Sequence, residues 1–247
     1  MLYRGMDRAQ LDAAYNNTAA VPERDAIVAD WAARSAKVRR EHGGRLDLAY
    51  GDNPRERLDL FLAANPQAPT LAFIHGGYWQ MNDKENFAFF ADGLLPLGIN
   101  LAVIEYTLAP AARLDRIVAE VRRSVRWLAE HLAEYGADPN RLYIAGHSAG
   151  GHLTAQTMPL AKVRGGIAIS GIYDLEPIRQ LPQREAGSRC AGGRTQQPGP
   201  AFASDGRRAG GGLRHPGIAR ILPPVDRVCP GVDRTGFSGT PAGGGRR

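Results

Sequence analysis

Residues 142–152, LYIAGHSAGGH, restrict the possible folds more than any other part of the chain. Residues 142–145 are a short apolar run typical of a strand. GHSAG follows at once, and the small residues after it can open a helix. A serine in a G-x-S-x-G turn between strand and helix needs a strained backbone and neighbours without bulky side chains. Ser148 is therefore predicted to stand clear of a sheet, where free helix N–H groups favour developing negative charge.

Continuous apolar runs predict four strands, which a parallel sheet would bury on both faces, at residues 71–74, 101–104, 142–145 and 167–169. Helical patterns lie between them. The clearest, residues 114–132, has apolar residues at spacings of three and four, with Arg and Glu on the other side. Strands that alternate with helices predict an α/β fold, with a mostly parallel central sheet and helices on both faces.

The first 62 residues show a different pattern. Residues 6–15 and 22–40 read as two helices, which would form an N-terminal helical extension that caps the domain. Leu46, Leu48 and Tyr50 alternate with polar or small residues before the turn GDNP. Leucines alternate again at residues 58–62 after it, interrupted by Phe61, and the two alternations predict an antiparallel hairpin at a sheet edge.

A second motif, HGGYW at residues 75–79, comes directly after the first of the buried strands. A glycine-rich loop at this place can bring backbone N–H groups close to a substrate oxygen. Gly76 and Gly77 are predicted to donate to that oxyanion from one side. Ala149, which follows the serine, is predicted to donate from the other side.

The aromatic and histidine side chains around these motifs allow more than one interpretation. Tyr78 and Trp79 either line a substrate pocket or belong to the core. His75 precedes the loop and is expected to orient it through hydrogen bonds rather than act as the base. His147 and His152 flank the serine on its own turn and helix, and are interpreted as structural or surface residues.

A serine nucleophile needs a histidine base, which in turn needs an oriented carboxylate, in the chain order Ser, acid, His. The best available pair is Asp174, after the strand that follows the serine, with His215. The alternative for Asp174 is a helix cap or a loop carboxylate, and the alternative for His215 is a solvated tail residue.

The C-terminal quarter lacks the regular pattern of the rest. Residues 184–247 hold 15 of the 30 Gly and 7 of the 17 Pro, and no buried strand or amphipathic helix can be read there. Eleven Arg and four acids give this segment a net charge of +7, which leaves −1 for residues 1–183. The basic charge therefore predicts no nucleic-acid face on the folded body.

The cysteines and the apolar runs of the sequence indicate neither a metal site nor a targeting segment. Cys190 and Cys229 form neither a disulfide framework nor a zinc pattern. The N-terminus has no apolar segment typical of a signal peptide, and no apolar run has the length of a membrane span. A soluble cytoplasmic protein that does not act at a membrane is expected.

Four motifs in order carry a resemblance to a known family: HGGYW (75–79), EYTLAP (105–110), DPNRLYIAGHSAGGHL (138–153) and SGIYDL (170–175). Together with MDRAQLDAAYNN at residues 6–17, they resemble the arylformamidases. These are the serine-dependent kynurenine formamidases of the α/β-hydrolase superfamily, near the hormone-sensitive-lipase-like esterases. The resemblance covers about residues 1–180.

The resemblance implies an α/β-hydrolase fold and a small-molecule substrate. The implied substrate is formylkynurenine or a related aryl formamide, from which the N-formyl group is cleaved, or a small ester. It implies no metal and no cofactor, and the His/Asp-rich motif of the metal-dependent formamidases is absent from the sequence.

Residues 1–183 are thus predicted to form an α/β-hydrolase domain, and residues 184–247 a Gly/Arg/Pro-rich tail. In that tail the C-terminal strands and helix that the resemblance implies are expected to be missing or irregular. The tail is a natural disordered extension, an irregular fold against the body, or the product of a reading-frame change near residue 184. The abundance of Arg and the absence of Lys in the tail favour the third hypothesis, a reading-frame change. The alternative function is then a catalytically impaired chain that lacks the acid and histidine.

Overall fold

The computed structural model describes residues 2–179 of the 247-residue chain. The predicted tail, residues 184–247, and its His215 lie outside the described residues. In chain order the elements are α1 (Arg8–Tyr15), α2 (Arg24–Glu41), β1 (Arg45–Ala49), β2 (Arg57–Phe61), β3 (Thr70–Ile74), α3 (Phe90–Leu94), β4 (Asn100–Ile104), α4 (Leu114–His131), β5 (Leu142–His147), α5 (Ala149–Thr157), β6 (Val163–Ile169) and α6 (Glu176–Arg179).

The described strands form one sheet in the order β1-β2-β4-β3-β5-β6. The pairs β1–β2 and β2–β4 are antiparallel, and the pairs β3–β4, β3–β5 and β5–β6 are parallel. The predicted α/β fold with a mostly parallel sheet is confirmed. The predicted hairpin is also present, but only β1 lies at the edge, because β2 pairs with β4 on its other side.

Alternate residues of the central strands feed two hydrophobic cores, one on each face of the sheet. Ala72 and Ile74 of β3 belong to the larger core with α4 and α5, whereas Phe73 belongs to the smaller core with Val38 of α2. Phe61, which interrupts the leucine alternation of β2, is fully buried in that smaller core. Helices therefore cover both faces, as predicted.

The two N-terminal helices pack on opposite faces of the sheet. Leu11 of α1 lies in the larger core and Val38 of α2 in the smaller one. A capping box starts α1, since Asp7 accepts the N–H of Gln10 while the Gln10 side chain accepts the N–H of Asp7.

Helix α4 buries the apolar stripe that the sequence predicts and ends before Gly136, whose φ is 80°. Glu120 differs from the expectation, since it is buried rather than solvated. Its carboxylate accepts the backbone N–H of Thr107 at 2.8 Å and Nε of Arg116 at 2.9 Å, which satisfies the buried charge.

Strand β6 departs from the sequence pattern. Its apolar run predicts burial on both faces, yet Ile167 is 54% and Ile169 47% exposed. Within the described part of the chain, β6 pairs on one side only, with β5. No helix among the described residues is long and apolar enough to cross a membrane.

Candidate active site

The serine predicted as nucleophile lies at the junction between β5 and α5. Ser148 has φ 57° and ψ −118°, a backbone conformation that costs a residue with a side chain about 1–3 kcal/mol. Two hydrogen bonds hold it there: its N–H donates to the Ile169 carbonyl at 2.8 Å, and its carbonyl accepts the His152 N–H at 3.1 Å. The side chain is half-buried at the carboxyl edge of the sheet.

Close backbone packing explains the glycines on either side of the serine. A methyl group on Gly150 would overlap the carbonyl oxygen of Ile74 and lie 2.6 Å from that of His75. A methyl group on Gly146 would lie in the first turn of α5, 2.6 Å from Oγ1 of Thr154. The helix can therefore approach β3 and β5 only because these positions lack a Cβ.

The glycine loop after β3 packs directly on the serine turn. A methyl group on Gly76 would lie 2.6 Å from the His147 carbonyl oxygen and 3.2 Å from Cβ of Ser148. Gly77 has φ 113°, and its carbonyl accepts N–H groups from Gln80 and Met81. The structure thus brings Gly76 to the serine, and Gly77 follows it in the loop.

Ala149 completes the predicted set of donors from the other side. It is the first residue of α5, so its N–H has no partner within the helix. Within residues 2–179, neither this N–H nor that of Gly77 donates to a loop carbonyl. The predicted donor role therefore stays open for both groups.

The three histidines near the motifs are placed as structural residues. His75 is fully buried, with Nδ1 2.9 Å from the Gly76 carbonyl oxygen and Nε2 3.1 Å from Oε1 of Glu105. His147 is exposed at the end of β5. His152 is fully buried, and its ring meets that of Trp79 edge to face at 5.4 Å. Within the described ranges, no histidine is hydrogen-bonded to the Ser148 hydroxyl.

Asp174, the predicted acid, lies with the N-terminal segment. Its carboxylate accepts hydrogen bonds from the Tyr3 hydroxyl and, at 3.2 Å, from the N–H of Glu176 at the start of α6. Arg4 is 3.9 Å away. Burial and the Asp174 hydrogen bond raise the pKa of Tyr3 to about 12. This geometry matches the loop carboxylate that the sequence left open, and the pairing with His215 stays a prediction.

The two aromatic residues of the loop differ in burial. The Trp79 side chain is only 6% exposed and belongs to the larger core. Tyr78 is half-buried, and its hydroxyl donates to the Tyr15 carbonyl at 3.0 Å. The core interpretation therefore fits Trp79, and Tyr78 packs against the same core from its edge, so its pocket role stays a prediction. Both have positive φ, 52° and 61°.

Sequence reasoning missed Glu105, a buried carboxylate at the carboxyl end of β4. Its position directly after a buried strand was the available signal, because the carboxyl ends of neighbouring parallel strands meet at one edge of a sheet. Burial alone would raise its pKa, but the hydrogen bond and charge of His75, with the charge of Arg55, outweigh burial and lower the pKa. No group of three or more His, Cys, Asp or Glu among the described residues could hold a metal ion.

Comparisons with known proteins agree with this geometry. Residues 58–164 match the model of the BD-FAE family. A kynurenine formamidase from Danio rerio is 35% identical over 143 residues, which is 54% of this chain and 47% of the relative. The isoprenylcysteine alpha-carbonyl methylesterase of Arabidopsis thaliana is 32% identical over 113 residues, 45% of this chain and 26% of that protein.

Among solved structures, a candidate thioesterase from Silicibacter sp. superposes with a TM-score of 0.69 and 30% identity, covering 76% of this chain and 74% of the other. The chain spans about half the length of the kynurenine formamidases that it matches.

Proposed function

The chain belongs to the α/β-hydrolase superfamily, and on that premise we propose that it is a serine hydrolase whose substrate is an aryl formamide of the N-formylkynurenine kind or a small carboxylic ester. One observation carries the proposal: Ser148 is held at φ 57° on a strand-to-helix turn that packs directly against the Gly76 loop. Relatives named kynurenine formamidase and methylesterase support the two substrate classes.

The reaction that this geometry supports is acyl transfer through the serine. The Ser148 oxygen attacks the carbonyl carbon while its proton passes to a base, and the carbonyl oxygen becomes an oxyanion. The N–H groups of Gly76, Gly77 and Ala149 would hold that oxyanion. Loss of one such donor typically costs about 3 kcal/mol of transition-state stabilisation. The amine or alcohol then leaves with a proton, and water releases formate or the acid from the serine ester.

The second candidate is a hydrolase-fold chain that binds ligands but turns over slowly. It is favoured by the placement of His75, His147 and His152, each with a structural or surface position rather than a bond to Ser148. Loss of one triad member removes most of the rate and leaves a modest residual over water.

Labelling with a fluorophosphonate separates these two candidates, because such probes react with an activated serine. We expect the full chain to label and Ser148→Ala to remain unlabelled. Ser170→Ala is the matched control, since Ser170 is also a serine at positive φ just after a strand and is exposed. It should label like the wild type. The rates of N-formylkynurenine and p-nitrophenyl acetate hydrolysis then decide between the two substrate classes.

A folded wild-type chain that neither labels nor hydrolyses either compound would overturn the hydrolase proposal in favour of the second candidate. Labelling that persists in Ser148→Ala would show that the reactive serine had been wrongly assigned.

A further inference from the structure

We propose that Glu105 is a positioning residue of the proposed oxyanion hole, which acts through the ring of His75 to fix the two peptide groups that carry the Gly76 and Gly77 N–H groups. The inference rests on the proposed hydrolase function. It concerns residues that touch neither the serine nor a bound substrate, so its physical basis lies in the hydrogen bonds beneath the loop.

Both relevant peptide groups are held by their carbonyl oxygens. The His75 carbonyl accepts the hydroxyl of Tyr106 at 2.9 Å. The Gly76 carbonyl oxygen lies 2.9 Å from Nδ1 of His75, and it accepts Nδ2 of Asn82 at 3.2 Å. A peptide group is planar, and its N–H points opposite to its C=O. Fixing these two carbonyls therefore fixes the directions of the Gly76 and Gly77 N–H groups.

Stacking fixes the plane of the His75 ring but does not prevent the ring from being flipped over about its Cβ–Cγ bond. The ring lies between Tyr106, at 4.4 Å and 12°, and Phe87, at 5.8 Å and 3°. Either orientation of the imidazole about its Cβ–Cγ bond would preserve these contacts. Only the hydrogen-bond partners at its two nitrogens select the orientation that aims Nδ1 at the Gly76 carbonyl.

Glu105 supplies the partner at the second nitrogen, and it is itself immobilised. Its side chain is 6% exposed. Oε1 lies 3.1 Å from Nε2 of His75 and accepts Nη2 of Arg55 at 2.6 Å and the Tyr106 N–H at 2.9 Å. Oε2 accepts the N–H of Lys84 at 2.9 Å. With donors around both oxygens, the carboxylate has a single orientation toward His75.

The same carboxylate also reaches the other donor to Gly76. Arg55, bound to Glu105, donates at 2.9 Å to the carbonyl of Asn82, the residue whose amide holds the Gly76 carbonyl. Thus one buried charge is connected to both groups that fix this peptide. Its lowered pKa keeps it ionised near neutral pH, as those donors require.

Glu105→Gln tests the proposal, because the amide keeps the shape of the side chain but replaces one acceptor oxygen by a donor. That donor would face the N–H groups of Arg55, Tyr106 and Lys84. Tyr50→Phe is the matched control: the Tyr50 hydroxyl is also buried and binds Glu105, but at its backbone carbonyl, at 2.5 Å. Each full-length variant is compared for p-nitrophenyl acetate turnover per folded molecule. Hydrogen–deuterium exchange is measured in residues 75–82 and in α4.

We expect Glu105→Gln to lower kcat by about 10- to 100-fold with KM within about twofold, because an oxyanion contact strengthens in the transition state. Exchange should rise in residues 75–82 and stay unchanged in α4. Tyr50→Phe should leave kcat and loop exchange as in the wild type. A merely structural role for Glu105 would instead raise exchange in α4 as well.

The two proposals fail in distinguishable ways. An active wild type whose Glu105→Gln variant is equally active, or exchanges faster everywhere, overturns the positioning role and leaves the hydrolase function. A wild type without turnover, whose Glu105→Gln variant still loosens only residues 75–82, overturns the function and retains the positioning of the loop. A wild type without turnover, whose Glu105→Gln variant shows no exchange difference confined to residues 75–82, overturns both proposals.

Discussion

Ser148 shows how a single residue stores strain at the site. Its φ of 57° with ψ of −118° is a region that glycine occupies readily and other residues avoid. The neighbouring backbone compensates through the bonds to Ile169 and His152. The strain holds the hydroxyl in a position that a relaxed turn would not present.

Replacing Ser148 by glycine should therefore stabilise the chain relative to Ser148→Ala, although both lack the nucleophile. Relief of about 1–3 kcal/mol of backbone strain is partly offset by the larger entropy of glycine in the unfolded chain, which leaves about 1 kcal/mol. Urea unfolding of both variants measures the difference. If the glycine variant were the less stable of the two, Ser148 would not be strained.

The residues of the serine turn and the glycine loop could be predicted because their signals are local. A G-x-S-x-G turn or a Gly-Gly pair after a strand is visible within a few positions. The role of Glu105 could not be predicted, because it depends on which side chains β4 and the segment after β3 bring together. Asp174 was ambiguous for the same reason: its partner Tyr3 is 171 residues away in sequence.

At the scale of elements, α5 is the most tightly constrained helix of the site. All nine of its residues are buried, and its first turn contacts the carboxyl end of β3. This contact, rather than helix propensity, accounts for the glycines at its start, since glycine weakens a helix by about 1 kcal/mol relative to alanine.

Gly150→Ala should consequently destabilise the chain by about 1–3 kcal/mol, because the new methyl group meets the Ile74 backbone. The matched control is Gly93→Ala in α3, where no heavy atom lies within 4 Å of the added methyl group. That variant should gain about 0.5–1 kcal/mol from reduced chain entropy and better helix propensity. Equal unfolding midpoints for the two variants would contradict the close approach.

The four buried strands were located from runs of three or four apolar residues, although the last strand begins at Val163, before its run. The surroundings of the strands were not predicted. The run in β6 resembles those of β3 and β4, yet Ile167 and Ile169 are about half exposed. The burial of a strand depends on the residues that lie beside it, and the sequence of the strand does not show which residues those are. Phe61 is the converse case, an apparent irregularity that the second core explains.

At the scale of the molecule, an ionic cluster around the buried Lys84 joins helix α2, the hairpin and the segment after the glycine loop. Lys84 is 2% exposed, with Nζ 2.6 Å from Asp47 and 3.0 Å from the fully buried Asp59. Asp59 also binds Arg39 of α2. Burial raises the pKa of Asp59, and its bonds to these neighbours oppose that rise only in part.

Lys84→Met should destabilise the chain by about 3–5 kcal/mol, because it leaves Asp59 buried with one cation fewer. Lys37→Met is the control, since its pair with Glu41 is exposed and 3.9 Å apart. It should change the free energy of unfolding by less than about 0.5 kcal/mol. Adding Asp59→Asn to Lys84→Met should recover part of the loss. A Lys84→Met variant as stable as wild type would mean that the cluster contributes nothing.

The register of two strands sets the dimensions of the candidate site. Ile74 lies opposite Gly146 in the parallel pair β3–β5, so the glycine loop and the serine turn leave the sheet at the same level. A slip of one residue would displace the loop by about 3.3 Å along the strand, more than the length of a hydrogen bond. The register of the sheet therefore sets the distance between the glycine loop and the serine turn. An insertion between β4 and β5 would lengthen the chain that separates the two motifs in sequence, but it would not change the distance between them in the sheet.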